Sequence, residues 1–207
     1  MAGSMSRADL VTDLKASLRD AAATFTAAAD ADFVRHLDKA AADMHRVRPR
    51  TLIGEVTILA GEGEYDAPAD ILRFKSAIWG VRSANFPNPW DRQWPGPLPR
   101  CRLIDDNLLS MYPAPTHQQI GLFGSAYRFY YVAKDAIGGQ ANETTIAAAD
   151  RDLLLLRAQA EAMLELSLRD SVRPVQVGGG FGQQAKTGTP AALHAQLMTE
   201  WMIRGKS

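Results

Sequence analysis

The apolar positions change period twice along the chain. Leu10, Leu14, Leu18, Ala22 and Phe25 recur one or more helical turns apart on one face, which predicts an amphipathic helix from Ser6 to Ala28. Asp30 or Asp32 then caps a second helix, with Phe33, Leu37, Ala40, Met44 and Val47 on its inner face. The two make a helical hairpin over residues 6–49, which Pro49 ends. From Thr51 the pattern turns β-like. Ile53, Val56, Ile58 and Leu59 form a run stopped by Gly61-Glu62-Gly63-Glu64. Residues 65–70, which include Pro68, read as a turn, and Ile71 to Trp79 as a second strand. Arg102-Leu103-Ile104 and Leu108 to Tyr112 flank Asp105-Asp106-Asn107, a hairpin-turn sequence. Ala126 to Ala133, rich in aromatic and β-branched residues, is the clearest strand. An antiparallel sheet of about four or five strands within residues 50–135 follows from these runs.

A linker from Ile137 leads to the most apolar element, a helix opening at Asp150 as N-cap. Leu153 to Leu156, Met163, Leu164, Leu166 and Leu168 cover a wide arc, as expected at the centre of a bundle or against another subunit. Arg157, Glu161, Glu165 and Arg169, spaced by four, form one polar stripe left for solvent, a lumen or a neighbouring subunit. Pro174 stops the helix in the domain 136–174. A Gly-rich tail then runs from Gly178 to Gly188, and Thr189-Pro190 starts a short last helix through Leu193, Leu197 and Trp201, within residues 175–207. The predicted fold class is α+β: a helical bundle of two N-terminal helices, one long central helix and a short C-terminal helix, with an inserted antiparallel β block.

Composition narrows the function. The chain has 207 residues, enough for one large domain or a domain with an insertion. Lys plus Arg equals Asp plus Glu at 23 each, so no basic balance favours nucleic acid or anionic membranes. Cys101 is the single cysteine, which excludes an internal disulfide and multi-cysteine zinc sites. The N-terminus carries no apolar run of signal or membrane length, so a soluble intracellular product is expected. Residues 1–5 read as a tag and are set aside.

Catalytic constellations do not assemble. His36 and His45 lie nine apart, on opposite faces of one helix, and no His-Glu-x-x-His, Cys-x-x-Cys or Gly-x-Ser-x-Gly spacing occurs. Ala185 precedes Lys186-Thr187 where a phosphate loop needs glycine, and the glycines follow a helix and not a strand. Asp105-Asp106 fits a solvated turn better than a carboxylate pair. Residues 85–99 hold five prolines with Trp90 and Trp94, a stiff loop whose aromatics suit a ligand or a protein contact. No catalytic residue, cofactor or metal is expected.

Several segments in order resemble one family. They are Ala28-Ala29-Asp30-Ala31-Asp32-Phe33, Arg46-Val47-Arg48-Pro49-Arg50, and Tyr65-Asp66-Ala67-Pro68-Ala69-Asp70-Ile71-Leu72-Arg73-Phe74-Lys75 followed by Trp79-Gly80. Tyr112-Pro113-Ala114-Pro115, Tyr127-Arg128-Phe129-Tyr130-Tyr131, the helix from Asp150, and Gly188-Thr189-Pro190-Ala191-Ala192-Leu193 complete the set. Across residues 6–203 the chain resembles the head-to-tail adaptor (head-completion or neck connector) proteins of tailed bacteriophages. The resemblance implies a non-enzymatic virion protein made in the host cytoplasm and placed in the neck. It further implies a homo-oligomeric ring of about twelve copies beneath the portal protein, with DNA passing through its lumen and no membrane contact. On this basis Val175, Val177, Phe181, Leu193, Leu197 and Trp201 are expected to dock on the portal. Trp90 and Trp94, with Arg157, Glu161, Glu165 and Arg169, are expected to meet the next neck protein or the adjacent subunit. The alternatives are another neck or tail-completion protein, or a small-molecule or enzymatic domain using the β block as its pocket.

Overall fold

The computed structural model describes residues 4–80, 88–105, 107–171 and 189–206. It divides into two compact units, Met1–Arg48 with Asp135–Ser207, and Pro49–Lys134. Both are built as the α+β pattern requires.

In the helical unit, α1 (Arg7–Leu18) is capped by Ser6, whose side chain accepts from the Asp9 N–H at 3.3 Å. The predicted helix to Ala28 stops early. Arg19 takes φ 50°, and a 3-10 stretch over Arg19–Thr24 swings Phe25 into the core. Helix α2 (Ala31–Asp43) follows two left-handed residues, Ala29 and Asp30. Asp30 sits at the N-cap position without a side-chain cap bond, and instead pairs with Lys15 at 2.6 Å.

The long helix α4 (Arg151–Ser171) packs against α1, α2 and α5 (Pro190–Lys206). The last helix has 17 residues and is not short. Thr189 accepts from the Ala192 N–H at 3.3 Å, and the run Ala191 to Arg204 contains neither glycine nor proline to stop it. Leu10, Leu14, Leu37, Ala40, Leu154 and Ala158 lie fully inside the core. Met5, set aside with the first five residues, is buried among them, and the linker inserts Ile137 and Ile146. The Thr144 hydroxyl donates to the Met5 carbonyl at 2.8 Å, so chain start and linker are tied together.

The β unit holds two three-stranded antiparallel sheets in place of one sheet of four or five strands. Strands β1 (Thr51–Thr57), β6 (Ala126–Ala133) and β3 (Ile71–Ala77) form the first, with β6 central. Strands β2 (Glu64–Asp66), β5 (Leu108–Tyr112) and β4 (Arg100–Ile104) form the second. The expected turn at 65–70 therefore begins as a strand. Glu64–Asp66 adds to the β4–β5 hairpin before Pro68 ends the pairing.

One helix escaped the periodicity. The seven-residue α3 (His117–Phe123) is fixed by a capping box between Thr116 and Gln119. Tyr127, Phe129, Ile58, Ile71 and Leu109 fill the core of this unit. Gly54 lies opposite Phe129, whose ring would stand 2.7 Å from any Cβ there, so the aromatic ring covers the glycine.

Burial separates neighbouring apolar residues. Leu154→Ala is expected to cost about 2–5 kcal/mol, and exposed Ile203→Ala less than about 0.5 kcal/mol, in chemical denaturation.

Candidate interaction surfaces

The N-terminal half of the charged stripe of α4 does not lie open to solvent. Arg157 and Glu161 are only 8% and 7% exposed, because the stripe turns toward α2. The two helices meet rung by rung. Arg157 donates to Asp43 Oδ2 at 2.6 Å, Lys39 to Glu161 at 2.6 Å, and Arg35 to Glu165 at 2.6 Å. Arg169 lies 3.8 Å from Asp32. His36 adds a 2.8 Å bond to Glu165, which Arg169 also reaches. Asp32, Arg35, Lys39 and Asp43 thus climb α2 as Arg169, Glu165, Glu161 and Arg157 descend α4. For Arg157 and Glu161 this corrects the expectation of a stripe left for solvent, whereas Glu165 is half-buried and Arg169 stays exposed.

Electrostatics follow from that geometry. Burial works to raise the Glu165 carboxyl, but hydrogen bonds from His36, Arg35 and Arg169 outweigh it and hold the pKa at about 2. Burial likewise opposes ionisation of Glu161, and Lys39 and Arg157 bring its pKa below the usual carboxylate value. Burial pushes His36 below an ordinary histidine. Its ring meets Phe25 edge-on at 5.0 Å, and Nδ1 has no bonding partner among the described residues. The array is built to hold two helices together. Among the described residues no group of three His, Cys, Asp or Glu is arranged to hold a metal.

The other predicted contact residues fall in three places. Trp201 is buried at 2% against the core, with the Arg157 guanidinium 5.9 Å from its ring centre. Leu197 is half-buried and Leu193 is exposed, so the inner face of α5 opens toward its N-terminal end. The outer face of α5 carries exposed Met202 and Ile203. Val175, Val177 and Phe181 lie outside the described residues.

In the β unit Trp90 is 81% exposed, whereas Trp94 is half-buried. The loop that presents them is pinned by Gln119. This side chain is 1% exposed, donates to the Pro97 carbonyl at 2.9 Å and accepts from the Thr116 N–H at 3.0 Å. Sequence reasoning missed Gln119 and the α2 partners. The signals were present, as Thr116-x-x-Gln119 and as opposite charges spaced by three and four from Asp32 to Asp43.

Each unit thus carries exposed apolar residues, among them Trp90 in one and Leu193, Met202 and Ile203 in the other. The family model described as SU10 adaptor protein matches residues 5–200. The chain belongs to this family of phage head-to-tail adaptors and is a structural component of a phage particle. No curated protein matches it.

Two outcomes test the charge array. Glu161→Lys sets a third cation between Lys39 and Arg157, with an expected loss of about 3–5 kcal/mol. Adding Lys39→Glu should restore part of it in urea denaturation. The array also makes stability depend on acid. His36 has its folded pKa below its unfolded one, so its contribution is full above the unfolded value and falls as pH drops through it. Glu165, near 2 against an ordinary 4.5, loses its contribution as pH falls from 4.5 toward 2, up to about 3 kcal/mol. Glu165→Gln should flatten the lower part of a stability–pH curve.

Proposed function

We propose that the chain assembles as a ring of about twelve copies beneath the portal and connects it to the next neck or tail component, with DNA passing through the ring. The observation that carries this reading is the family match, which runs through both units from residue 5 to residue 200. The formal charge of zero suits a lumen that passes DNA without gripping it. A ring needs two different contact patches on each copy, and exposed apolar residues on α5 and in the β unit supply candidates.

The portal contact is assigned to Val175, Val177 and Phe181 together with Leu193 and Leu197. Burial of Trp201 gives it a second task, holding α5 on its own unit while the residues before it reach outward. Trp90, mounted on a proline-stiffened loop, loses little conformational entropy on binding and suits a contact with the next neck protein. The buried charges Arg157 and Glu161 support a subunit contact only indirectly, by fixing the helices that would make it, while half-buried Glu165 and exposed Arg169 remain candidates for a direct one.

The direct test is imaging of the purified chain mixed with its portal. A ring stacked on one portal face is expected, and a chain that never associates with portal would overturn the reading. Replacing Val175, Val177 and Phe181 together with serine is expected to weaken portal binding at least about tenfold, compared at matched thermal stability. Trp90→Ala should leave portal binding intact and reduce tail attachment, scored as filled heads without tails.

A further inference from the structure

Strand β1 lies at one margin of its sheet, and among the described residues no strand pairs with its outer side. The strand order is β1-β6-β3, and β1 pairs with β6 over seven consecutive residues without a register shift. Ala133 donates to the Arg50 carbonyl at 2.9 Å and Ile58 to the Ser125 carbonyl at 2.8 Å. In an antiparallel ladder the residues bonded to the partner alternate. Leu52, Gly54 and Val56 therefore face β6 with their backbone groups, and Thr51, Ile53, Glu55 and Thr57 point theirs away from it. Among the described residues nothing bonds to those outward groups.

Edges are normally blunted by proline, lysine, bulges or short length. Thr51-Leu52-Ile53-Gly54-Glu55-Val56-Thr57 has none of these. Its one charge, Glu55, is already matched by Arg128 at 2.6 Å. The opposite edge of the same sheet differs. Strand β3 carries two register shifts and the exposed cations Arg73 and Lys75.

We propose that the β1 edge receives an extended strand from a different protein of the phage particle, which adds to the sheet by main-chain pairing. The proposal rests on the adaptor reading above. Four residues with outward donors and acceptors specify an extended polypeptide and not a helix or a small ligand. Ile53 at 61% exposure and Tyr130 at 39% stand across from each other on the sheet's outer face. They call for an apolar residue on the incoming strand level with Ile53.

A second copy fits less well. Two β1 edges pairing with each other would close a two-fold dimer, which cannot continue round a ring. Pairing β1 with another strand needs a second regular edge. Strand β2 has three residues, β3 is bulged, and β4 turns only Cys101 and Leu103 outward.

Residue-resolved hydrogen exchange on the free chain and on intact particles tests this. In the free chain the amides of Leu52, Gly54 and Val56 should be protected, and those of Thr51, Ile53, Glu55 and Thr57 should exchange fast. In particles the four outward amides should slow at least about a hundredfold. Glu55→Pro follows a glycine, and it removes an outward N–H together with the exposed ion pair to Arg128. It should keep the fold, as read by thermal unfolding, and abolish the added protection. Ile53→Lys, which keeps every backbone group, should weaken it. Outward amides that stay fast in particles containing the chain would overturn the strand proposal and leave the adaptor reading standing. Protection in the free chain that appears with a doubled mass would also overturn it, by assigning the edge to a second copy. Particles that lack the chain would overturn both readings.

Discussion

The helical unit depends on placing charge where the helix pattern calls for apolar residues. Helix α4 packs against α1, α2 and α5, and Arg157 and Glu161 fall on its buried side. Buried ions are tolerated only when neighbours repay their desolvation. Helix α2 does so with Asp43, Lys39, Arg35 and His36 at matching pitch. A slip of one helical turn in one direction sets Lys39 against Arg157 and Asp32 against Glu165. A slip in the other sets Arg35 against Arg169 and Asp43 against Glu161. Only one register pairs every rung, and that selectivity, more than net attraction, is what the array provides. The apolar surfaces alone, rich in alanine and leucine, would accept several.

The same register explains where the aromatic residues go. Phe25 can leave α1 and enter the core because its ring is met by Phe33, by His36 and by the Arg169 guanidinium, at 5.5, 5.0 and 5.2 Å. At the other end Arg157 lies over Trp201 and links the charge array to α5. Helix α5 also needs Gly205, since a Cβ there would meet the Val47 Cβ at 2.4 Å. A residue expected to anchor on a partner thus packs against the chain's own core, while Leu193 on the same helix stays exposed.

In the β unit the organising element is β6, central to its sheet and the source of Tyr127, Phe129 and Tyr131 in the core. The strand was legible from its aromatic and β-branched content, and the fold turns residues 127, 129 and 131 inward and Arg128 and Tyr130 outward. Burial raises the Tyr131 phenol to about 12, and its bond to Asp70 adds to that, so it stays a neutral donor. Such a centre leaves β1 at the margin.

Periodicity and capping residues determined the elements: both N-terminal helices, the long α4 starting after Asp150, the Thr189-Pro190 start of α5 and the strand at 126–133 were legible, as was the α+β class. The order of motifs was enough to indicate the adaptor family. Local pattern could not decide which strands share a sheet, because β2 is three residues long and is held only by Gly63, Tyr65 and Ala67 meeting the β4–β5 hairpin. Nor could it decide which way the α4 stripe faces. On a single helix, charges spaced by four look solvent-exposed. They become interior only when another helix brings the opposite charges to within hydrogen-bonding distance, and that meeting joins residues more than a hundred positions apart.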